Sequence, residues 1–196
     1  MAGMSAAFTR TLATAADVAP ATRSYWVVPG WFLAGAYPSM PDVGPKRVER
    51  VNELWKAGIR TFVNLVEESE QPWGRPFTAY WDDLDEITGG NGPRAACIRF
   101  AVKDAGIPSA SLMRSVLDAV DLSLEAGRPV YLHCFGGMGR TATAVGCWML
   151  RHGLASKDDV LEVITRLRQA DEERKDWNAP ENDAQRAFVT AWARGR

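Results

Sequence analysis

Cysteine and histidine are scarce in this 196-residue chain: only Cys97, Cys134 and Cys147 of the one, His133 and His152 of the other. An odd, sparse cysteine count argues against a disulfide framework and for a reducing, cytoplasmic setting. Two histidines at opposite ends of one expected helix argue against a zinc site. The net charge is −1, so no excess of either sign calls for nucleic acid or an anionic membrane as partner. No apolar run approaches the roughly 18 residues needed to cross a bilayer. Residues 1–24, rich in Ala and Thr, lack a compact apolar stretch behind a basic start. They read as a flexible lead-in rather than a signal peptide. What remains, 25–196, has the length of one domain. With 46% hydrophobic residues it can bury a core without disulfides or metal. A monomer is the expected state.

Apolar residues gather around Pro29-Gly30 from Tyr25 to Leu33, and 34–44 reads as loop. Pro45 opens a helix carrying Val48, Val51, Leu54 and Trp55, which Gly58 ends. Ile59 to Val66 is a buried strand, followed by Glu67, Glu68 and Glu70. Residues 71–94 resist assignment. Ala96 to Ala101 is a second strand, and Ser109 caps a helix running to Gly127. Pro129 to His133 is a short buried strand. Thr141 to His152 is apolar all round, a helix at the centre of the molecule. An amphipathic helix over 156–169 and a last helix from Pro180 to Arg194 complete the chain. Strands alternating with helices define an α/β fold, with a largely parallel sheet of about four to five strands flanked by helices.

Chemistry concentrates between the short strand and the central helix, in His133-Cys134-Phe135-Gly136-Gly137-Met138-Gly139-Arg140-Thr141. A tight loop entering a helix turns several N–H groups toward one point, and with the helix N-terminus it makes an anion site. Phe135, Gly136, Gly137, Met138, Gly139 and Arg140 would supply that cradle. Cys134 stands at its start, where the helix dipole, the N–H groups and Arg140 each stabilise negative charge on sulfur. Arg140 offers a planar fork for two phosphate oxygens. Thr141 is placed to give its hydroxyl to the sulfur. His133 reads as a residue that hydrogen-bonds the loop and holds Cys134, not as a base.

A bare Cys-x5-Arg spacing is weak, because a chain this rich in arginine shows it by chance roughly one time in four. His before the Cys and Thr after the Arg lower that to below roughly one in a thousand. Taken alone, Asp104 as a proton donor stands level with Asp82, Asp83 and Asp85. Trp73 and Phe77 read as packing residues and Gln185 as a solvated helix position. Arg166, Arg168, Arg174 and Lys175 read as a solvated face. Cys147 reads as core.

The loop resembles the signature of the protein tyrosine phosphatases, and the chain from about 25 to 194 is similar to their compact dual-specificity branch. Val102 to Ser109 and Pro180 to Val189 are further matching blocks. The resemblance implies Cys134 as nucleophile, Arg140 as phosphate ligand and Asp104 as general acid. It implies hydrolysis through a cysteinyl-phosphate, with no metal or cofactor. Ala142 departs from the glycine that relatives often carry there. The uncharged loop interior favours a phosphorylated protein or peptide, on tyrosine and/or serine/threonine, over a phosphoinositide or nucleotide. Sulfurtransferase or arsenate reductase chemistry and a non-catalytic phosphate-binding module are the other readings.

Overall fold

The apolar residues around Pro29-Gly30 pair as an antiparallel hairpin, β1 (Ser24–Val28) and β2 (Phe32–Gly35). Gly30 supplies the positive φ, +73°, that the tight turn requires. The computed structural model describes residues 8–39, 45–71, 74, 79–87 and 95–195. Trp73 and Phe77 lie outside them. Three further strands follow, β3 (Thr61–Asn64), β4 (Ala96–Arg99) and β5 (Val130–His133), and the sheet order is β1-β2-β5-β3-β4. Every pairing except the hairpin is parallel. β5 is central: its His133 aligns with Gly35 on one side and Asn64 on the other. All four residues of β5 are buried, as its unbroken apolar character requires in a strand covered on both faces.

Among the described residues six α-helices flank the sheet: α1 (Pro45–Lys56), α2 (Trp81–Ile87), α3 (Ala110–Glu125), α4 (Arg140–His152), α5 (Val160–Leu167) and α6 (Asp183–Thr190). The Oγ of Ser109 accepts the Leu112 N–H at 3.1 Å, which fixes the start of α3. Gly153, left-handed at φ +66°, ends α4. α4 is buried from Arg140 through Leu150. It packs on β2, β5, α3, α5 and α6. Gly146 makes the last two contacts possible: a Cβ there would stand 2.7 Å from Val189 and 3.0 Å from Ile164. Fully burying an aliphatic side chain such as Val130 or Leu132 stabilises by about 1.5–3 kcal/mol.

Several expectations change in detail. The strands and the last two helices are shorter than expected: β3 ends at Asn64 and β4 at Arg99, while α5 spans Val160–Leu167 and α6 Asp183–Thr190. The lead-in expected to be loose is packed in its described part. Ala13 and Ala21 are buried, the Ala13 N–H donates to the Val27 carbonyl at 3.0 Å, and Phe8 meets Trp31 at 5.4 Å between ring centroids. Arg168, expected on a solvated face, is 1% exposed.

Candidate active site

Cys134 leaves the carboxyl end of the central strand, where parallel sheets open a crevice for ligands. The loop after it is seated on the end of β2. The Tyr37 N–H donates to the Phe135 carbonyl at 3.0 Å. Gly137 has φ +75°, and a Cβ there would meet the Gly35 carbonyl carbon at 2.6 Å and the Ala36 nitrogen at 2.7 Å. Only glycine satisfies both the dihedral angle and the close approach. A Cβ on Gly139 would run into the Glu181 carboxylate. The buried Cys134 Sγ accepts the Gly137 N–H at 3.3 Å. No side chain caps α4 at Gly139, so the positive end of that helix faces the loop uncovered.

Arg140 is held from several sides. Its Nη1 donates to Glu70 Oε2 at 2.6 Å and to the Val102 carbonyl at 2.9 Å. Its Nη2 donates to Glu70 Oε1 at 2.9 Å and to Asp104 Oδ1 at 2.7 Å. The Glu70 pairing is therefore bidentate, the geometry that suits guanidinium and carboxylate best. Nε is left as the nitrogen without a protein acceptor among the described residues. The carboxylates hold Arg140 charged, raised above its already high range despite burial. Glu70 was visible in the sequence only as part of an acidic stretch. Asp104, whose side chain is 65% exposed, occupies the Nη2 hydrogen that lies beside Nε. A phosphate taking that edge of the fork displaces the Asp104 carboxylate from it.

His133 is fully buried, and burial, aided by the charges of Arg140 and Arg99, pulls it down to about 3. Its Nδ1 lies 3.2 Å from the Cys134 carbonyl, which can only accept, so Nδ1 carries the proton. Nε2 then accepts from the Tyr80 hydroxyl at 2.8 Å. Tyr80 lies in the stretch that the sequence left unassigned. Thr141 departs from expectation: its hydroxyl donates to the Gly35 carbonyl at 3.3 Å, which ties α4 to β2.

The loop opens into a cleft of about 290 Å³, lined by Asp104, Cys134, Phe135, Met138, Arg140, Arg174, Trp177 and Glu181 among others. Asp82, Asp83 and Asp85 do not line it, nor do Cys97 and Cys147. Arg174 departs from the solvated reading. Its Nη1 donates to the Gly136 carbonyl at 3.1 Å, and its guanidinium lies 5.4 Å from the Trp177 ring. The buried Arg168 fixes this turn by donating to the carbonyls of Trp177, at 2.7 Å, and Arg174, at 2.8 Å. Gln185 is also buried rather than solvated, and its Nε2 donates to the Gly106 carbonyl and to Glu181 Oε1, each at 3.2 Å. His152 sits at the far end of α4 against Asp121 Oδ1, 2.9 Å away. A larger groove, about 460 Å³, runs between residues 14–23 and the end of α5, but neither cysteine nor histidine lines it.

Comparison with known proteins identifies the class. Residues 21–191 match the family described as PTP-SAK, the Swiss Army Knife protein, DSP-PTPase phosphatase domain. The chain belongs to that family. It is similar to "Putative tyrosine phosphatase 067L" of Invertebrate iridescent virus 3, 30% identical over 122 residues, 60% of this chain and 41% of that protein. The chain thus spans about two fifths of that relative's length. Among solved structures it is similar to Tk-PTP in the active form, with TM-score 0.60, 19% identity and coverage of 85% of this chain and 93% of that one. It is also similar to PTPMT1 in complex with PI(5)P, with TM-score 0.60, 17% identity and coverage of 83% and 90%. At these identities the two structures speak for the fold.

Proposed function

We propose that the chain hydrolyses phosphate monoesters through a cysteinyl-phosphate, acting on phosphorylated side chains of proteins. One observation carries the reading: Cys134, Arg140 and Asp104 line the same small cleft, with the Asp104 carboxylate 2.7 Å from Arg140. The phosphate sits against Arg140 and the loop N–H groups, with its phosphorus facing the sulfur. The phosphate displaces Asp104 from Arg140, and Asp104 takes a proton from solvent. The Cys134 thiolate then forms the S–P bond as the ester P–O bond breaks, and the Asp104 carboxyl gives that proton to the departing oxygen. Water then attacks phosphorus, the S–P bond breaks, Asp104 takes the water's proton, and inorganic phosphate leaves. His133 stays neutral and holds the Cys134 carbonyl throughout. Phe135, Met138 and Trp177 give the cleft apolar walls suited to the ring of phosphotyrosine.

A second reading, a small ester bearing further phosphates, is favoured by Arg174, which adds a second guanidinium to the lining. Steady-state hydrolysis of phosphotyrosine, phosphoserine and phosphothreonine peptides, set beside inositol phosphates, separates the two. The protein reading predicts higher kcat/KM for the peptides, and the reverse order overturns it. Cys134→Ser is expected to abolish turnover of every substrate, and activity surviving in that variant would sink the mechanism.

A further inference from the structure

We infer that Asn182, the N-cap of α6, and Gln185, in its first turn, are positioning residues that hold the loop carrying Asp104 over the cleft. The inference rests on the proposed role of Asp104 as general acid. That loop runs from Lys103 to Pro108 and has few holds of its own. Its internal backbone bond is Gly106 N–H to the Lys103 carbonyl, 2.9 Å. Its tip, Ala105, stands at φ +55°, a left-handed conformation that a residue with a Cβ adopts only where its surroundings enforce it. Asp104 itself is mostly exposed.

The enforcing contacts come from α6. Asn182 Nδ2 donates to the Ala105 carbonyl at 2.9 Å, and Gln185 Nε2 to the Gly106 carbonyl at 3.2 Å. Two successive carbonyls immediately after Asp104 are therefore tied to one helical turn. The amide orientations are set by their other ends. Asn182 Oδ1 caps α6 by accepting the Gln185 N–H at 3.0 Å, and Gln185 Oε1 accepts the Glu181 N–H at 3.1 Å. Each side chain thus uses its oxygen to start the helix and its nitrogen to grip the loop. α6 packs on α4, the helix that begins with Arg140. The proton donor and the phosphate ligand are in this way referred to one rigid pair of helices, which suits catalysis that tolerates little misplacement.

The division of labour within Asn182 supplies the test. Asn182→Asp keeps the capping oxygen and removes the nitrogen donor, while Asn182→Ser keeps a cap too short to reach the loop. Both are measured in the full chain on aryl phosphates whose phenols span a range of acidity, with Asp104→Asn alongside. A displaced acid matters most where the leaving group most needs a proton. The kcat of either variant is expected to fall no more than about threefold on the most activated ester and roughly tenfold or more on unactivated phenyl phosphate. Asp104→Asn should show the same trend more steeply. A uniform fall across the series in both Asn182 variants, with the trend intact in Asp104→Asn, overturns the tie and leaves Asp104 as the acid. A flat series in Asp104→Asn removes the acid reading, and with it anything for Asn182 to position.

Discussion

Buried, neutral His133 makes stability fall as the medium turns acid, and the size of the fall follows from the structure. In the unfolded chain a histidine takes its proton at about 6.5. In the fold burial holds His133 down to about 3. Between those limits the unfolded state carries one proton more than the folded state. The contribution of the neutral imidazole is therefore complete above about pH 6.5 and is lost progressively as pH falls toward 3. At 1.36 kcal/mol per unit, the interval from pH 7 to pH 5 removes about 2 kcal/mol. The perturbation that isolates this term is His133→Asn, which keeps an N–H for the Cys134 carbonyl and cannot titrate. Urea unfolding of both proteins at pH 7 and pH 5 gives the four stabilities. The difference between wild type and variant should shrink by about 2 kcal/mol at the lower pH, whatever the carboxylates common to both contribute. An unchanged difference would mean that His133 is not held neutral. The Tyr80 hydroxyl would then have to accept, not donate, in its 2.8 Å bond to Nε2.

Glu70→Gln removes the charge that squares Arg140 to the cleft. It should lower kcat/KM on an aryl phosphate by roughly 10- to 100-fold through misplacement of the fork, and unchanged kinetics would show that Val102 and Asp104 suffice to orient Arg140. Gly146→Ala pushes a methyl into Val189 and Ile164 and should cost about 1–3 kcal/mol in urea unfolding. A gain in stability there would mean that α6 shifts away freely.

Much of this molecule is legible in its residues, and the parts that are not share a physical cause. The loop from His133 to Thr141 can be read because its chemistry is contiguous: one strand end, one glycine turn and one helix start supply nearly all of it. The hidden helix α4 is legible for the same reason, since apolar residues all round leave no face for solvent. Glu70, Tyr80 and Asn182 reach the site from three separate connecting stretches, and nothing local marks them. Arg168 and Gln185 mislead because their sequence neighbours are charged or polar. Folding places both inside, where each satisfies main-chain carbonyls that no regular element would pair. Thr141 misleads in another way. Its position beside Arg140 suggests the sulfur, but its hydroxyl donates to the Gly35 carbonyl of β2.

Placing β5 in the middle of the sheet governs how the molecule comes apart. Strands β1 and β4 form the margins, and between them and β5 lie β2 and β3. Fraying of the lead-in, the hairpin or the β4 edge opens peptide groups at the periphery first, while the strand that delivers Cys134 keeps partners on both flanks. Amide exchange at Tyr131, Leu132 and His133 should then be limited by complete unfolding. Loss of enzymatic competence in denaturant should begin before the global transition, because Val102 and Asp104 follow the marginal strand β4.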